Sequence, residues 1–101
     1  MSIATAYEWV TYNGKIATVG ITYGAQKKLG EVMYVELPPE GAIVKEGEYV
    51  VLLESTKAAV EIYSPVTGVI THVNEEAQGN PQVVNEDPEG GGWLYQMEVF
   101  E

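Results

Sequence analysis

Apolar and polar residues alternate in short runs along this chain, and turn residues break the runs every eight to twelve positions. Residues 7–12, "YEWVTY", are aromatic and β-branched, and residues 15–20, "KIATVG", resume the pattern after Asn13-Gly14. Asn-Gly between two such runs is a strong hairpin signal, because both residues tolerate positive φ. Residues 7–12 and 15–20 are therefore expected as paired strands. "TYGAQKKLG" breaks the period: Thr22 can cap a short helix, Ala25 to Leu29 favour one, and Gly30 can end it. "EVMYVEL" reads as a strand stopped by Pro38-Pro39, and "EGAIVKEG" as a short strand between glycines. "EYVVLLE", "AVEIY" and "VITHV" read as further strands, with "SPVTG" a turn. "NEEAQGNPQVVN" should hold a helical turn, with Asn80 as its cap and Pro81 in the first helical position. "EDPEGGG" is a loop and "WLYQMEVF" a closing strand. Many short strands and little helix predict an all-β fold, a small sandwich or flattened barrel.

One internal echo refines this. "GEVMYVELPPEG" (30–41) aligns without a gap on "GVITHVNEEAQG" (68–79). Gly30 matches Gly68, Val32 matches Ile70, Val35 matches Val73 and Gly41 matches Gly79. The echo implies two half-domains of similar shape, with Lys57 between the echoed segments.

Packing sets the register around Lys57. A hairpin centred between Thr56 and Lys57 puts Leu53 opposite Val60 and Val51 opposite Ile62, all on one face. The other face then pairs Glu54 with Ala59, Leu52 with Glu61 and Val50 with Tyr63. A one-residue slip would set Glu61 against Leu53 and Glu54 against Val60, mixing the faces. A two-residue primed turn needs positive φ, which β-branched Thr56 resists. A four-residue loop, Ser55-Thr56-Lys57-Ala58, avoids that strain. Lys57 then points into solvent, and Ala58 and Ala59 leave room for another protein to grip the turn. No histidine stands near it to activate it as a nucleophile, so any chemistry at Lys57 must be done by another enzyme. The competing reading is an ordinary solvated lysine that blunts a hairpin.

Composition narrows the function classes. At 101 residues the chain is expected to form one domain, residues 1–101. It has no cysteine, so disulfide and thiol chemistry are excluded. "MSIATAYEWV" has no basic stretch followed by an apolar run, and no apolar run approaches the roughly 20 residues of a membrane span. A soluble, cytoplasmic protein without a membrane partner is expected. The formal charge of −10 disfavours nucleic acid and suits either solubility or steering toward basic partner surfaces. His72 is the only histidine and lies mid-strand, so a transition-metal site is not expected. Glu86, Asp87 and Glu89 lack calcium-loop spacing and read as a turn. "GGG" at 90–92 is followed by no Lys-Ser or Lys-Thr and is not a phosphate loop. Trp9 and Trp93 read as core anchors.

"ESTKAAVEIYSPVTGVI" resembles the lipoyl attachment region of the glycine cleavage system H-protein family, in the pattern Glu-Ser-x-Lys-Ala. "EWV" (8–10), "IATVGITYGAQKKLGEV" (16–32), "VELP" (35–38), "VNEE" (73–76) and "VNEDPEGGGW" (84–93) resemble the same family in order and spacing. The resemblance implies a flattened hammerhead barrel-sandwich hybrid of the lipoyl/biotinyl type, built of two pseudo-symmetric halves. It implies lipoic acid amide-linked to Lys57, with Glu54, Ser55, Thr56 and Ala58 forming the recognition turn. It implies a non-catalytic, monomeric carrier with three partners. These are the pyridoxal-phosphate-dependent P-protein, the T-protein, which passes a one-carbon unit to tetrahydrofolate, and the flavin-dependent L-protein. A lipoate ligase or lipoyl transferase would load it. Glu8, in the family's His-Glu-Trp motif, and Glu61, where the family often has aspartate, are the implied contacts for the folded-back arm.

The chain departs from the family pattern in places. Tyr7 replaces the histidine of His-Glu-Trp, no acid precedes Ala25-Gln26, and Lys27 and Lys28 add positive charge. The last strand is followed at once by Glu101, where typical members continue into a helical segment. A lipoylated relative in lipoate relay or with another partner set therefore stays open. So does an unmodified interaction module. A biotin carrier domain is disfavoured, because Thr56 and Ala58 flank the lysine where that class has methionines.

Overall fold

The computed structural model describes residues 7–100; residues 1–6, where a leader would begin, and residue 101 lie outside it. The elements are β1 (Glu8–Asn13), β2 (Ile16–Ile21), α1 (Tyr23–Leu29), β3 (Val32–Glu36), β4 (Ile43–Val44), β5 (Tyr49–Ser55), β6 (Ala59–Tyr63), β7 (Gly68–Val73), α2 (Glu75–Gly79), α3 (Gln82–Glu86) and β8 (Tyr95–Val99). They form a five-stranded sheet, β1-β2-β8-β7-β4, and a three-stranded sheet, β3-β5-β6. Val19, Ile21, Ile70 and Met97 of the first sheet share one buried core with Val35, Val51, Leu53 and Ile62 of the second. This is the expected barrel-sandwich, with two sheets rather than a closed ring. Among the described residues, no helix is long and apolar enough to cross a membrane.

The first hairpin forms one residue later than expected. Asn13 pairs with Ile16, so the loop is Gly14-Lys15 rather than Asn13-Gly14. Gly14 has φ 61, and no non-glycine among the described residues has positive φ. A turn with positive φ only at its first central residue puts glycine there and leaves Lys15 unstrained. The short helix is as expected: Thr22 Oγ1 accepts from Ala25 N at 3.0 Å, and Gly30 closes the end with φ 78.

The polar stretch after β7 makes two short helices, and Asn80 ends the first instead of capping the second. Its backbone N–H donates to Glu76 O at 2.7 Å, and its carbonyl accepts from Val83 N at 3.1 Å. With the backbone of Asn80 committed to both helices, Pro81 (φ −57) takes the N-cap of α3 instead of its first helical position, and the helix begins at Gln82. The two tryptophans are half-buried rather than in the core. Trp9 lies against Gly20 and donates Nε1 to Pro88 O at 3.0 Å, pinning the 87–92 loop to β1.

The strand part of the internal echo is a structural repeat, whereas its second half is not: residues 75–79 form α2 and the matching residues 37–41 form no helix. The β3–β5 ladder has a bulge between Val32 and Tyr34, and the β7–β8 ladder has one between Ile70 and His72, at the echoed positions. An extra residue lets two side chains three apart face the same way. Val32 and Val35 are thus both buried, as is Ile70, with Val73 half-buried beside it. The partner strands match too, with Val35 opposite Leu53 and Val73 opposite Tyr95.

Leu53 is fully buried and Glu36 is on the exposed face of the same sheet. Leu53→Ala should lower stability by about 2–5 kcal/mol in urea denaturation, through lost burial and the cavity left behind. Glu36→Gln should change it by less than about 0.5 kcal/mol.

Candidate functional site

The site grows out of the β5–β6 hairpin. Four of the five expected pairs are present: Leu53–Val60, Val51–Ile62, Glu54–Ala59 and Leu52–Glu61. The fifth is corrected, since Tyr49 rather than Val50 faces Tyr63 across a bulge. Val50 and Val51 are both buried, and strict alternation cannot turn two neighbours inward.

Ser55-Thr56-Lys57-Ala58 is the connecting loop, closed by Ser55 N donating to Ala58 O at 2.8 Å. Ser55 Oγ accepts from the backbone N–H of both Lys57 and Ala58, each at 3.1 Å. One small hydroxyl therefore satisfies the two donors at the apex, as serine does in tight turns. The last donor of the loop, Thr56 N, reaches out of the hairpin to Glu31 O at 3.1 Å. Thr56, Lys57 and Ala58 are exposed. The loop is thus rigid in its backbone and open on its outer side.

Residues remote in sequence hold the turn from below. A Cβ placed on Gly30 would stand 3.1 Å from Thr56 Oγ1 and 3.5 Å from Lys57 Cε. The lysine stem therefore crosses the C-terminal end of α1 where glycine leaves the space. Lys27 and Lys28 lie in that last helical turn and are exposed, so positive charge gathers there. Asn85 secures the next residue along, accepting from Val32 N at 2.7 Å through Oδ1 and donating Nδ2 to Val32 O at 3.0 Å. Gln26 Nε2 donates to Gly30 O at 3.2 Å and to Asn85 Oδ1 at 3.3 Å, joining α1, α3 and β3.

The sequence points to none of these supports. Asn85 meets Val32 at a separation of 53 residues, and nothing in its own polar stretch marks it. Only the pairing of Gly30 with Thr56 and Lys57 in space gives that glycine a role beyond ending a helix.

The structure gathers Glu54, Ser55, Thr56 and Ala58 with Lys57 on one hairpin. Glu8 and Glu61 have different neighbours. Glu8 is 5% exposed on β1. Burial pushes the Tyr95 phenol well above its usual range, Ser64 opposes that shift, and the Glu8 carboxylate adds to it. Glu61 lies exposed on the outside of the three-stranded sheet and accepts from Tyr63 Oη at 3.0 Å.

The acids of the 86–89 segment are used in the loop. Asp87 Oδ2 accepts from Gly91 N at 2.8 Å, and Glu89 Oε2 accepts from Tyr23 N, also at 2.8 Å. Among the described residues, no group of three or more His, Cys, Asp or Glu is placed to hold a metal ion. His72 is exposed on β7 opposite Gln96.

Two packed sheets with repeated bulged ladders, and a lysine raised on an exposed hairpin of the three-stranded sheet, define the lipoyl/biotinyl type of barrel-sandwich. The model of the glycine cleavage H-protein family matches residues 1–101, and the chain belongs to that family. A glycine cleavage system H protein of Thermotoga maritima is 52% identical over 93 residues, 92% of this chain and 75% of its own. One from Deinococcus radiodurans is 51% identical over 98 residues, 97% of this chain and 79% of its own. The crystal structure of a glycine cleavage system H protein from Mycobacterium marinum is similar with a TM-score of 0.89 at 35% identity. It matches 99% of this chain and 86% of that one.

Asn85→Ala removes both bonds to Val32 and leaves a backbone pair without its side-chain partners. It should lower stability by about 1–3 kcal/mol. Hydrogen exchange at Thr56, whose amide depends on the adjoining Glu31 carbonyl, should quicken more than exchange in β2.

Proposed function

We propose that this protein is a lipoyl carrier of the glycine cleavage system, with lipoate amide-linked to Lys57, and that it is not itself a catalyst. The observation that carries this reading is the apex position of Lys57 on a hydrogen-bonded, outward-facing loop. Membership of the H-protein family supports it. The bound dithiolane would supply a disulfide that is reduced as it takes up an aminomethyl group, and a dithiol that yields its electrons once the group has been passed on. Everything else falls to the chain.

Ser55 keeps the loop in one shape for a lipoate ligase or lipoyl transferase. Ala58 and Ala59 leave the amine unobstructed, and Gly30 leaves the stem a track across the end of α1. The tether keeps its cargo at high local concentration for the P-, T- and L-proteins in turn. Glu8, and secondly Glu61, are offered as the carboxylates that hold a protonated amine carried on the arm. Glu8 is the stronger of the two, because a charge gains most from an opposite charge where water is scarce and Glu8 is buried. Biotin in place of lipoate is disfavoured by Thr56 and Ala58 beside the lysine.

Incubation with lipoate, ATP and a lipoate ligase should raise the intact mass by one lipoyl group. Lys57→Arg should stay at its starting mass. The loaded wild type should support glycine–bicarbonate exchange with the P-protein, and the variant should not. A wild type left unmodified under these conditions would overturn the reading.

A further inference from the structure

The outer face of the three-stranded sheet is built in rows that lead away from the Lys57 loop. Nearest the loop, Tyr34, Glu54 and Ala59 lie side by side across β3, β5 and β6. The next row is Glu36, Leu52 and Glu61, and beyond it Tyr49 faces Tyr63. The tyrosines and glutamates of these rows are exposed, and Leu52 is half-buried between Glu36 and Glu61. No basic side chain belongs to any of the three rows.

The middle carboxylates are held in place. Tyr49 Oη donates to Glu36 Oε1 at 3.2 Å, and Tyr63 Oη donates to Glu61 Oε1 at 3.0 Å. They flank Leu52 from the strands on either side, so their backbones stand about 10 Å apart, twice the strand spacing. Two oriented anions across an apolar centre, framed by tyrosines, form a surface suited to a pair of guanidinium or ammonium groups.

We infer that this face is the docking surface for the enzyme that acylates Lys57, and that the enzyme meets it with a basic patch. The inference rests on the carrier reading above. An enzyme that visits a loaded carrier can grip the arm, but the acylating enzyme meets a bare lysine. A loop of four residues offers far less than the roughly 800 Å² per partner of a standard interface, so recognition must spread to the adjoining surface. The lysine stem leans toward Gly30 and α1. The β3-β5-β6 face is continuous with the loop through both strands of the hairpin. A second copy of this chain is a poor occupant, since it would bring three more carboxylates against Glu36, Glu54 and Glu61.

The test follows the initial rate of lipoylation by intact mass as carrier concentration is varied. Glu36→Gln/Glu61→Gln keeps shape and hydrogen-bond acceptors, and urea denaturation checks its fold. We expect its KM to rise about tenfold with kcat unchanged, and its kcat/KM to depend less on salt, as lost charge complementarity predicts. Tyr49→Phe, which frees the Glu36 carboxylate, should raise KM by a smaller factor. Glu75→Gln/Glu76→Gln removes the same charge from α2 and should leave KM unchanged. The inference is overturned if the face variants match wild type, or if the α2 pair has an equal effect, which would mark a response to net charge alone. A wild type that is never modified fails at the earlier step and overturns the carrier reading instead.

Discussion

The structure around Lys57 depends on how one edge strand is finished. β3 lies at the edge of its sheet, and an edge strand leaves backbone groups without a strand partner. At Val32 the side-chain amide of Asn85 takes that place, accepting from the N–H and donating to the carbonyl as a neighbouring strand would. The preceding residue, Glu31, can then offer its carbonyl to Thr56. A short series of bonds thus runs from α3 to the lysine loop. The loop's own backbone could not supply it, because Ser55 and Ala58 already close on each other.

The same sheet has two unlike faces, and the bulges keep them apart. The inward side holds Val32, Val35, Val51, Leu53 and Ile62 in the common core. The outward side holds carboxylates and tyrosines. Bulges at Val32/Tyr34 and Tyr49/Val51 turn consecutive or three-apart residues to one side, so neither strand needs perfect alternation in its sequence. Positive charge is sorted as well. Lys27 and Lys28 lie in the last turn of α1, where the Lys57 stem passes Gly30, while the rows of the outer face hold no basic residue.

Much of this was legible in the chain because one face of each strand is apolar. Leu53 and Val60 against Glu54 and Glu61 allow one register for the hairpin, and that register is present. The loop followed from the reluctance of Thr56 to take positive φ. The gapless echo of Val32 and Val35 in Ile70 and Val73 carried the repeat, although the bulge that explains the spacing could not be read from it. Three details differ: Asn13-Gly14 gave way to Gly14-Lys15, Asn80 ended a helix instead of starting one, and Val50 yielded its place to Tyr49. The first follows from a turn that needs positive φ only at Gly14, and the other two from the bonding or burial of neighbours. Asn85 is the extreme case, since its partner lies 53 residues away.

No residue of the 55–58 loop has positive φ, and its hydrogen bonds are made within the loop or to Glu31. The hairpin therefore stores no backbone tension that the acylation proposed at Lys57 could release. A ligand shifts a structure only by interacting differently with two states of it, and this conformation of the loop holds no strain for a second state to relieve. Empty and loaded carriers should then be mechanically the same object. Whatever reads the difference between them must touch the arm itself, because the scaffold beneath does not announce it.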